Sequence, residues 1–163
     1  MKTATLCIPV AEKNSKILLG MKKRGFGKDK FNGFGGKLNP GESVAEAAVR
    51  ELREEAGLRV DVGDLKKVAE LTFTFPGAPD NSWDQVVHVF LVEKWAGEPS
   101  ESEEMKPCWF SAKELPFDRM WSDDPYWVPI VLSGQTLAAS FVFSADQKTI
   151  IEKKIEECAD YKC

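Results

Sequence analysis

Glu51, Glu54 and Glu55 stand three and four positions apart inside GKLNPGESVAEAAVRELREEAGL, residues 36–58. On a helix advancing about 100° per residue, these three side chains fall within an arc of roughly 100° and project from one side. Like charges crowded in this way repel unless something neutralises them. A hard divalent cation with oxygen ligands does so, and magnesium in particular keeps waters and open positions for substrate phosphates. On spacing alone, a solvated acidic face is the commoner meaning of such a cluster. The neighbours shift that balance, because Val44, Ala45, Ala48, Leu52 and Ala56 recur as a core-facing stripe on the same segment. The carboxylates therefore ride on a helix anchored by packing.

Pro40-Gly41 breaks the chain before this helix, and Gly57 follows its last turn, where a left-handed residue is favoured. Upstream, Gly33, Gly35 and Gly36 allow close backbone approach or a positive φ. Alternation over residues 3–10 and an apolar run over 16–21 predict a strand hairpin turning at 12–15. Residues 22–30 form a basic, glycine-containing loop, and residues 60–68 lead from the helix to a strand at 69–75. VVHVFLV, residues 86–92, is the clearest buried strand; the turn-rich PGAPDNSWD, residues 76–84, precedes it and an acidic loop at 97–104 follows it. A short strand at 107–110, a helix at 124–132 opened by Pro125 and disturbed by Pro129, and closing strands at 138–144 and 149–156 complete the chain. No repeat, linker or low-complexity segment interrupts it. The pattern is that of one α/β domain.

At 163 residues and 43% hydrophobic content, the chain can bury one substantial core and is too short to argue for two. No apolar run reaches membrane-spanning length, and MKTATLCIPV lacks the features of a signal peptide. The expectation is a cytoplasmic monomer without a membrane partner, with a mitochondrial or nuclear fraction left open. Cys7, Cys108, Cys158 and Cys163 are scattered and His88 is the single histidine, which argues against zinc and against a disulfide framework. A net charge of −4 argues against a nucleic-acid polymer as partner, although KKRG at 22–25 is a patch that can hold phosphate.

Gly36, Glu42, Arg50-Glu51-Leu52, Glu54-Glu55, Gly57 and Leu58 match the Nudix box, G-x5-E-x7-R-E-U-x-E-E-x-G-U with U aliphatic, at every specified position. The chain thus resembles the Nudix hydrolases, which cleave nucleoside diphosphates linked to another moiety with magnesium and an activated water. The resemblance implies an α/β/α sandwich with a mixed β-sheet, a single domain over residues 1–163, and Mg2+ as cofactor with Mn2+ as substitute. It makes Glu51, Glu54 and Glu55 metal ligands together with the Gly36 carbonyl, and has Arg50 and Glu42 orient helix and loop by pairing. Glu51 or Glu55 would accept the proton. A carboxylate suffices as base, because metal coordination lowers the pKa of the attacking water.

Four further stretches, GMKKRGFG at 20–27, FNGFGGK at 31–37, SEEMKPCWF at 102–110 and MWSDDPYW at 120–127, are similar to the animal branch of that family. That branch converts oxidised purine nucleoside triphosphates such as 8-oxo-dGTP and 2-hydroxy-dATP to monophosphate and pyrophosphate. The similarity runs over roughly residues 16–132. It implies substrate contacts from Lys22, Phe26, Asn32, Phe34, Gly35, Gly36 and Lys37, and from Phe73, Met105, Trp121, Asp123, Asp124 and Trp127. Glu104 would be an extra metal ligand. Cys7 stands where that branch has a threonine near the base, Phe31 where it usually has tryptophan, and the 76–84 connection with Trp83 is longer.

The chemistry of these residues suits a purine. Trp121 and Trp127, with Phe26, Phe73 and Phe75, offer flat apolar faces, and Asn32 offers a donor and an acceptor. Asp123 and Asp124 in an aromatic pocket would not both stay ionised. By shifting one proton, such a pair could match the edges of both 8-oxoguanine and 2-hydroxyadenine. Blander readings stand beside these: Asp124-Pro125 also looks like a helix N-cap, Trp121 and Trp127 like core, Lys22 and Glu104 like solvated charges, and His88 like a structural histidine. Two other functions stay open. One is a Nudix hydrolase for another nucleotide, such as O6-methyl-dGTP, unmodified dNTPs, nucleotide sugars or dinucleoside polyphosphates. The other is a non-catalytic nucleotide-binding module, against which the intact glutamates argue.

Overall fold

The apolar alternation over the first ten residues becomes β1 (Lys2–Ala11), which turns into β2 (Lys16–Lys22). This computed structural model describes residues 1–158 and Tyr161. There follow β3 (Phe31–Asn32), α1 (Val44–Ala56), β4 (Leu65–Thr74), β5 (Gln85–Val92), β6 (Met105–Ser111), α2 (Asp124–Leu132), β7 (Thr136–Phe143) and β8 (Ile150–Cys158). They form one eight-stranded mixed sheet in the order β3-β2-β1-β5-β4-β7-β8, with β6 also paired to β2. The β1–β5 and β4–β7 pairs are parallel, and the remaining pairs are antiparallel.

Strand alternation divides the core into two layers. Cys7, Phe90 and Val92 pack with Ala48, Leu52 and Ala56 of α1, whereas Ile8, Val10, Val89 and Leu91 pack with Trp127, Val128 and Val131 of α2. The expected α/β/α sandwich is therefore present. Helix α1 begins with a reciprocal capping box between Ser43 and Glu46 and ends at Gly57, whose φ of 74° lets its N–H reach the Arg53 carbonyl. Helix α2 persists through Pro129, because in so short a helix the proline forfeits only the bond to the Pro125 carbonyl.

Several boundaries differ from the sequence expectation. β4 starts at Leu65, inside the stretch read as a lead-in, and a register shift between Lys67 and Ala69 breaks the alternation that would have exposed it. β6 starts at Met105 and β7 at Thr136, both earlier than expected, and β3 was not foreseen as a strand. Cys7 and Cys108 are free thiols, and Cys158 is disulfide-bonded. Among the described residues, no helix is long and apolar enough to cross a membrane.

The feature that positions the site is a seam along β1. β1 pairs with β2 only at Val10–Ile17 and Ala11–Lys16. Beyond that point, residues 34–37 occupy the same edge: the Cys7 and Phe34 amides exchange bonds of 2.6 and 2.8 Å, and the Thr5 N–H donates to the Gly36 carbonyl at 2.9 Å. A Cβ on Gly35 would lie 1.8 Å from the Thr5 carbonyl oxygen, and one on Gly33 would lie 2.8 Å from that of Cys7. These glycines are required by contact with a strand, and neither has a positive φ.

Candidate active site

Beside this seam lies a cavity of about 230 Å³. Gly33, Gly35, Gly36 and Glu55 line it together with Lys22, Asn32 and Met105; β4 adds Leu71 and Phe73, and the segment leading into α2 adds Trp121, Asp123 and Asp124. Phe26, Phe75 and Trp127 complete the aromatic part.

The box carboxylates are arranged around Arg50. Its guanidinium takes Glu42 in a fork, with Nε–Oε2 2.7 Å and Nη2–Oε1 2.9 Å. Nη1 reaches Glu51 at 2.8 Å and Glu54 at 3.3 Å, while Nη2 also donates to the Lys37 carbonyl at 3.2 Å. Hydrogen bonds from Arg50 and from the Asn39 N–H hold the Glu42 carboxyl down to about 2, and those from Glu42 in turn raise the Arg50 pKa. Glu55 turns the other way. It is 7% exposed and accepts the Gly35 N–H at 2.8 Å. Burial pushes its carboxyl up to about 7; the Gly35 bond opposes this, and the charge of Glu51 adds to it.

The three box carboxylates thus have separate partners in this arrangement. Among the described residues, no three histidine, cysteine, aspartate or glutamate side chains are gathered as a cation site. Glu51 and Glu54 turn to one guanidinium nitrogen and Glu55 to a backbone amide. Glu104 is held by Lys22 Nζ at 3.2 Å and by Arg24 Nε and Nη2 at 2.9 and 2.7 Å, which depress its pKa; it does not line the cavity. The donor set nevertheless suits a hard cation, since every side-chain ligand is a carboxylate. Gly36 fits too, because a Cβ there would fall 2.7 Å from Glu51 Oε1 and fill the space beside that oxygen.

The second group of carboxylates has no cationic partner among the described residues. Asp123 and Asp124 are 4% and 3% exposed. Trp127 Nε1 donates to Asp123 Oδ2 at 2.8 Å, and the Trp121 N–H to Asp124 Oδ2 at 3.1 Å. Burial pushes Asp123 up to about 6 against the pull of the Trp127 bond. Asp124 is pushed well up, by burial first and by the Asp123 charge second. The N-cap reading does not hold, since neither carboxylate caps α2 and Asp124 accepts from the residue three positions before it. Phe26 stacks on Trp121 with centroids 5.0 Å apart, and Lys30 Nζ sits 5.2 Å from the Trp121 ring centroid. Asn32 Oδ1 is occupied by the Gly33 N–H at 2.9 Å, which leaves its NH2 available.

Three expected substrate contacts are elsewhere. Cys7 faces α1, where its thiol donates to the Ala48 carbonyl at 3.7 Å and burial raises its pKa to about 12. Phe34 is fully buried in the same layer, and Lys37 is exposed and does not line the cavity. Alternation explains the first two: Cys7 and Phe34 are register partners whose side chains share the α1 face, whereas Lys37 is paired with Ala4 and is exposed outside the cavity. Trp83 is 43% exposed and meets Phe75 edge-on at 6.0 Å, so it covers the aromatic core from outside. His88 lies half-buried away from the cavity, its pKa lowered mainly by burial. Thr5, Lys30, Gln85 and Phe143 line the cavity and were not foreseen. For Gln85 a signal existed, since it stands in alternation with Val87 and Val89 on β5.

A profile of the NUDIX domain matches residues 1–130. The chain belongs to the Nudix hydrolase family. Hydrolases of this family generally use divalent metals such as Mg2+. Among its relatives, the oxidized purine nucleoside triphosphate hydrolase of Danio rerio is 44% identical over 145 residues, covering 89% of each chain. The enzyme of the same name from Mus musculus is 45% identical over 142 residues, covering 87% of each. The crystal structure of the mMutator MutT protein from Bacillus halodurans superposes with a TM-score of 0.80 at 24% identity, over 96% of this chain and 98% of that one, and supports the Nudix fold.

Proposed function

We propose that this Nudix hydrolase converts oxidised purine nucleoside triphosphates, 8-oxo-dGTP and 2-hydroxy-dATP among them, to monophosphate and pyrophosphate, clearing miscoding precursors from the nucleotide pool. The observation that carries this reading is the buried Asp123–Asp124 pair, without a counter-cation among the described residues, in a cavity that also contains Glu55 of the box. A carboxyl that keeps its proton near neutrality can donate as well as accept, so the pair can meet two differently oxidised purine edges. The activity named for the zebrafish and mouse relatives supports the same substrate class.

Glu51, Glu54, Glu55, the Gly36 carbonyl and Glu104 would hold Mg2+, or Mn2+ in its place. When bound, the ion supplies positive charge to the phosphate oxygens and lowers the pKa of the attacking water. Arg50 keeps Glu51 and Glu54 oriented while it clamps Glu42. Lys22, which lines the cavity, places a cation beside the phosphates. Glu55 takes the proton from water, because it lines the cavity and Glu51 does not. Trp121 and Phe26 close over the base and exclude water from it. Residues 1–163 act as one catalytic unit, a cytoplasmic monomer working on free nucleotides and not on a polymer or at a membrane.

The test is a panel of 8-oxo-dGTP, 2-hydroxy-dATP, O6-methyl-dGTP, dGTP, dATP and a nucleotide sugar with Mg2+, read as pyrophosphate and monophosphate release. The expected outcome is a higher kcat/KM for the two oxidised purines than for dGTP and dATP. Equal or lower values for the oxidised pair overturn the proposal.

A further inference from the structure

Gln85 opens β5 and shares a sheet face with Val87, Val89 and Leu91, all buried and apolar on the α2 side. Its register partner on β4 is Phe73, and the two line the cavity together with Leu71 and Phe75. An amide is out of place in such a wall. Buried without a partner it costs more than an apolar side chain of the same shape, unless something brings it a complementary group.

Among the described residues, the Gln85 side chain has no hydrogen-bonding partner. Of the other polar groups facing the base region, Asn32 Oδ1 is taken by Gly33, Asp123 Oδ2 by Trp127 and Asp124 Oδ2 by Trp121, with the Asn32 NH2 left available. The Thr5 hydroxyl also lacks a partner, but Thr5 is 2% exposed and that oxygen is sealed from the cavity space. Gln85 is half-buried, so its amide reaches the cavity while its stem packs on the wall.

From this placement we infer that Gln85 is a specificity-determining contact to the purine ring, meeting the base from the sheet while Asp123 and Asp124 meet it from α2. The inference rests on the cavity being the base pocket of the proposed reaction. An amide offers one donor face and one acceptor, so it matches a ring edge where a carbonyl stands beside an N–H. Three elements, β3 with Asn32, β5 with Gln85 and the start of α2, then read the base from different directions.

The experiment compares the wild type with Gln85→Leu, which keeps the size and removes the amide, and Gln85→Glu, which keeps the shape and removes the donor. Each is assayed for kcat/KM on 8-oxo-dGTP, 2-hydroxy-dATP, dGTP and dITP, with the thermal midpoint as a check on folding. The expected result for Gln85→Leu is a KM raised by about tenfold for the favoured base, the loss of one hydrogen bond, with kcat held and the ranking of bases altered. Gln85→Glu should alter the ranking in a different order, and it carries the test if the leucine variant fails to fold. Unchanged ratios among the four bases, or a uniform loss across all four, overturn the inference. The two ideas fail separately: the wild-type ratio of oxidised to unmodified purines judges the substrate reading. The dGTP to dITP ratio in wild type against variant judges Gln85 even where that reading has failed.

Discussion

Around Arg50, the carboxylates of Glu42, Glu51 and Glu54 meet a guanidinium at 2.7–3.3 Å, whereas Asp123 and Asp124 meet only N–H donors from Trp127 and Trp121. In the first group Glu42 is driven down to about 2 by its bonds to Arg50 and to the Asn39 amide. The second group is buried without a cation and is driven upward, Asp123 to about 6 and Asp124 in the same direction. One residue chemistry thus serves two ends. In the proposed reaction, the carboxylates assigned to the metal lie beside a guanidinium, and those assigned to the base are buried beside N–H donors alone. Glu55 stands between the two groups, with burial like the aspartates and a place on the box helix.

The largest effect that would test this division comes from Glu55→Gln. Removing the base and a metal-binding oxygen should lower magnesium-dependent turnover by about 10²–10⁴-fold while leaving the ranking of purine bases intact. Pyrophosphate release across the substrate panel checks both parts, and retained turnover would break the assignment. A smaller effect is expected from Asp124→Asn, which fixes the donor and acceptor pattern of the pair. The preference for oxidised over unmodified purines should fall by about 10–100-fold, with hydrolysis of the least favoured nucleotide nearly unchanged. If selectivity survives, the pair is structural only.

The smallest effect is on stability, and its sign follows from the raised values. In the unfolded chain Asp123 ionises near 3.8, while in the fold it holds its proton to about 6. The stabilisation it contributes is therefore full below about 4 and lost as pH rises through about 6. Asp124 adds in the same direction. Asp124→Asn should accordingly show a thermal midpoint that gains on the wild type by roughly 3–8 °C between pH 5 and pH 8. A difference independent of pH would show that the pair carries no shared proton.

The chain was legible where one local pattern decides the structure. The α1 stripe, Gly57 at its end, the VVHVFLV strand and the α2 segment each depend on neighbours a few residues away, and each appears close to where the sequence puts it. Boundaries were lost where a bulge breaks alternation, as at Lys67 and Ala69 in β4. The carboxylates of the box were legible as a group but not in orientation, since Glu51 and Glu54 turn to Arg50 on their own helix while Glu55 turns to the amide of Gly35, twenty residues upstream. Cys7 and Phe34 were misplaced for a related reason. Nearness in a motif says that a backbone passes the site, and only the pairing with β1 says which way each side chain points.

That pairing also sets a length. Asn32 is paired with Gly20 on β2 while Phe34 to Lys37 run in register on β1, so the run is fixed at both ends, and at about 3.3 Å per extended residue its four steps span at most about 13 Å. Asn32 attends the base in the proposed reaction and Gly36 the metal and phosphates. The segment between them is a gauge. Adding one residue to it would turn Phe34 into the cavity and move the two ends out of step, so the distance from base to phosphate is measured by the backbone of the sheet itself.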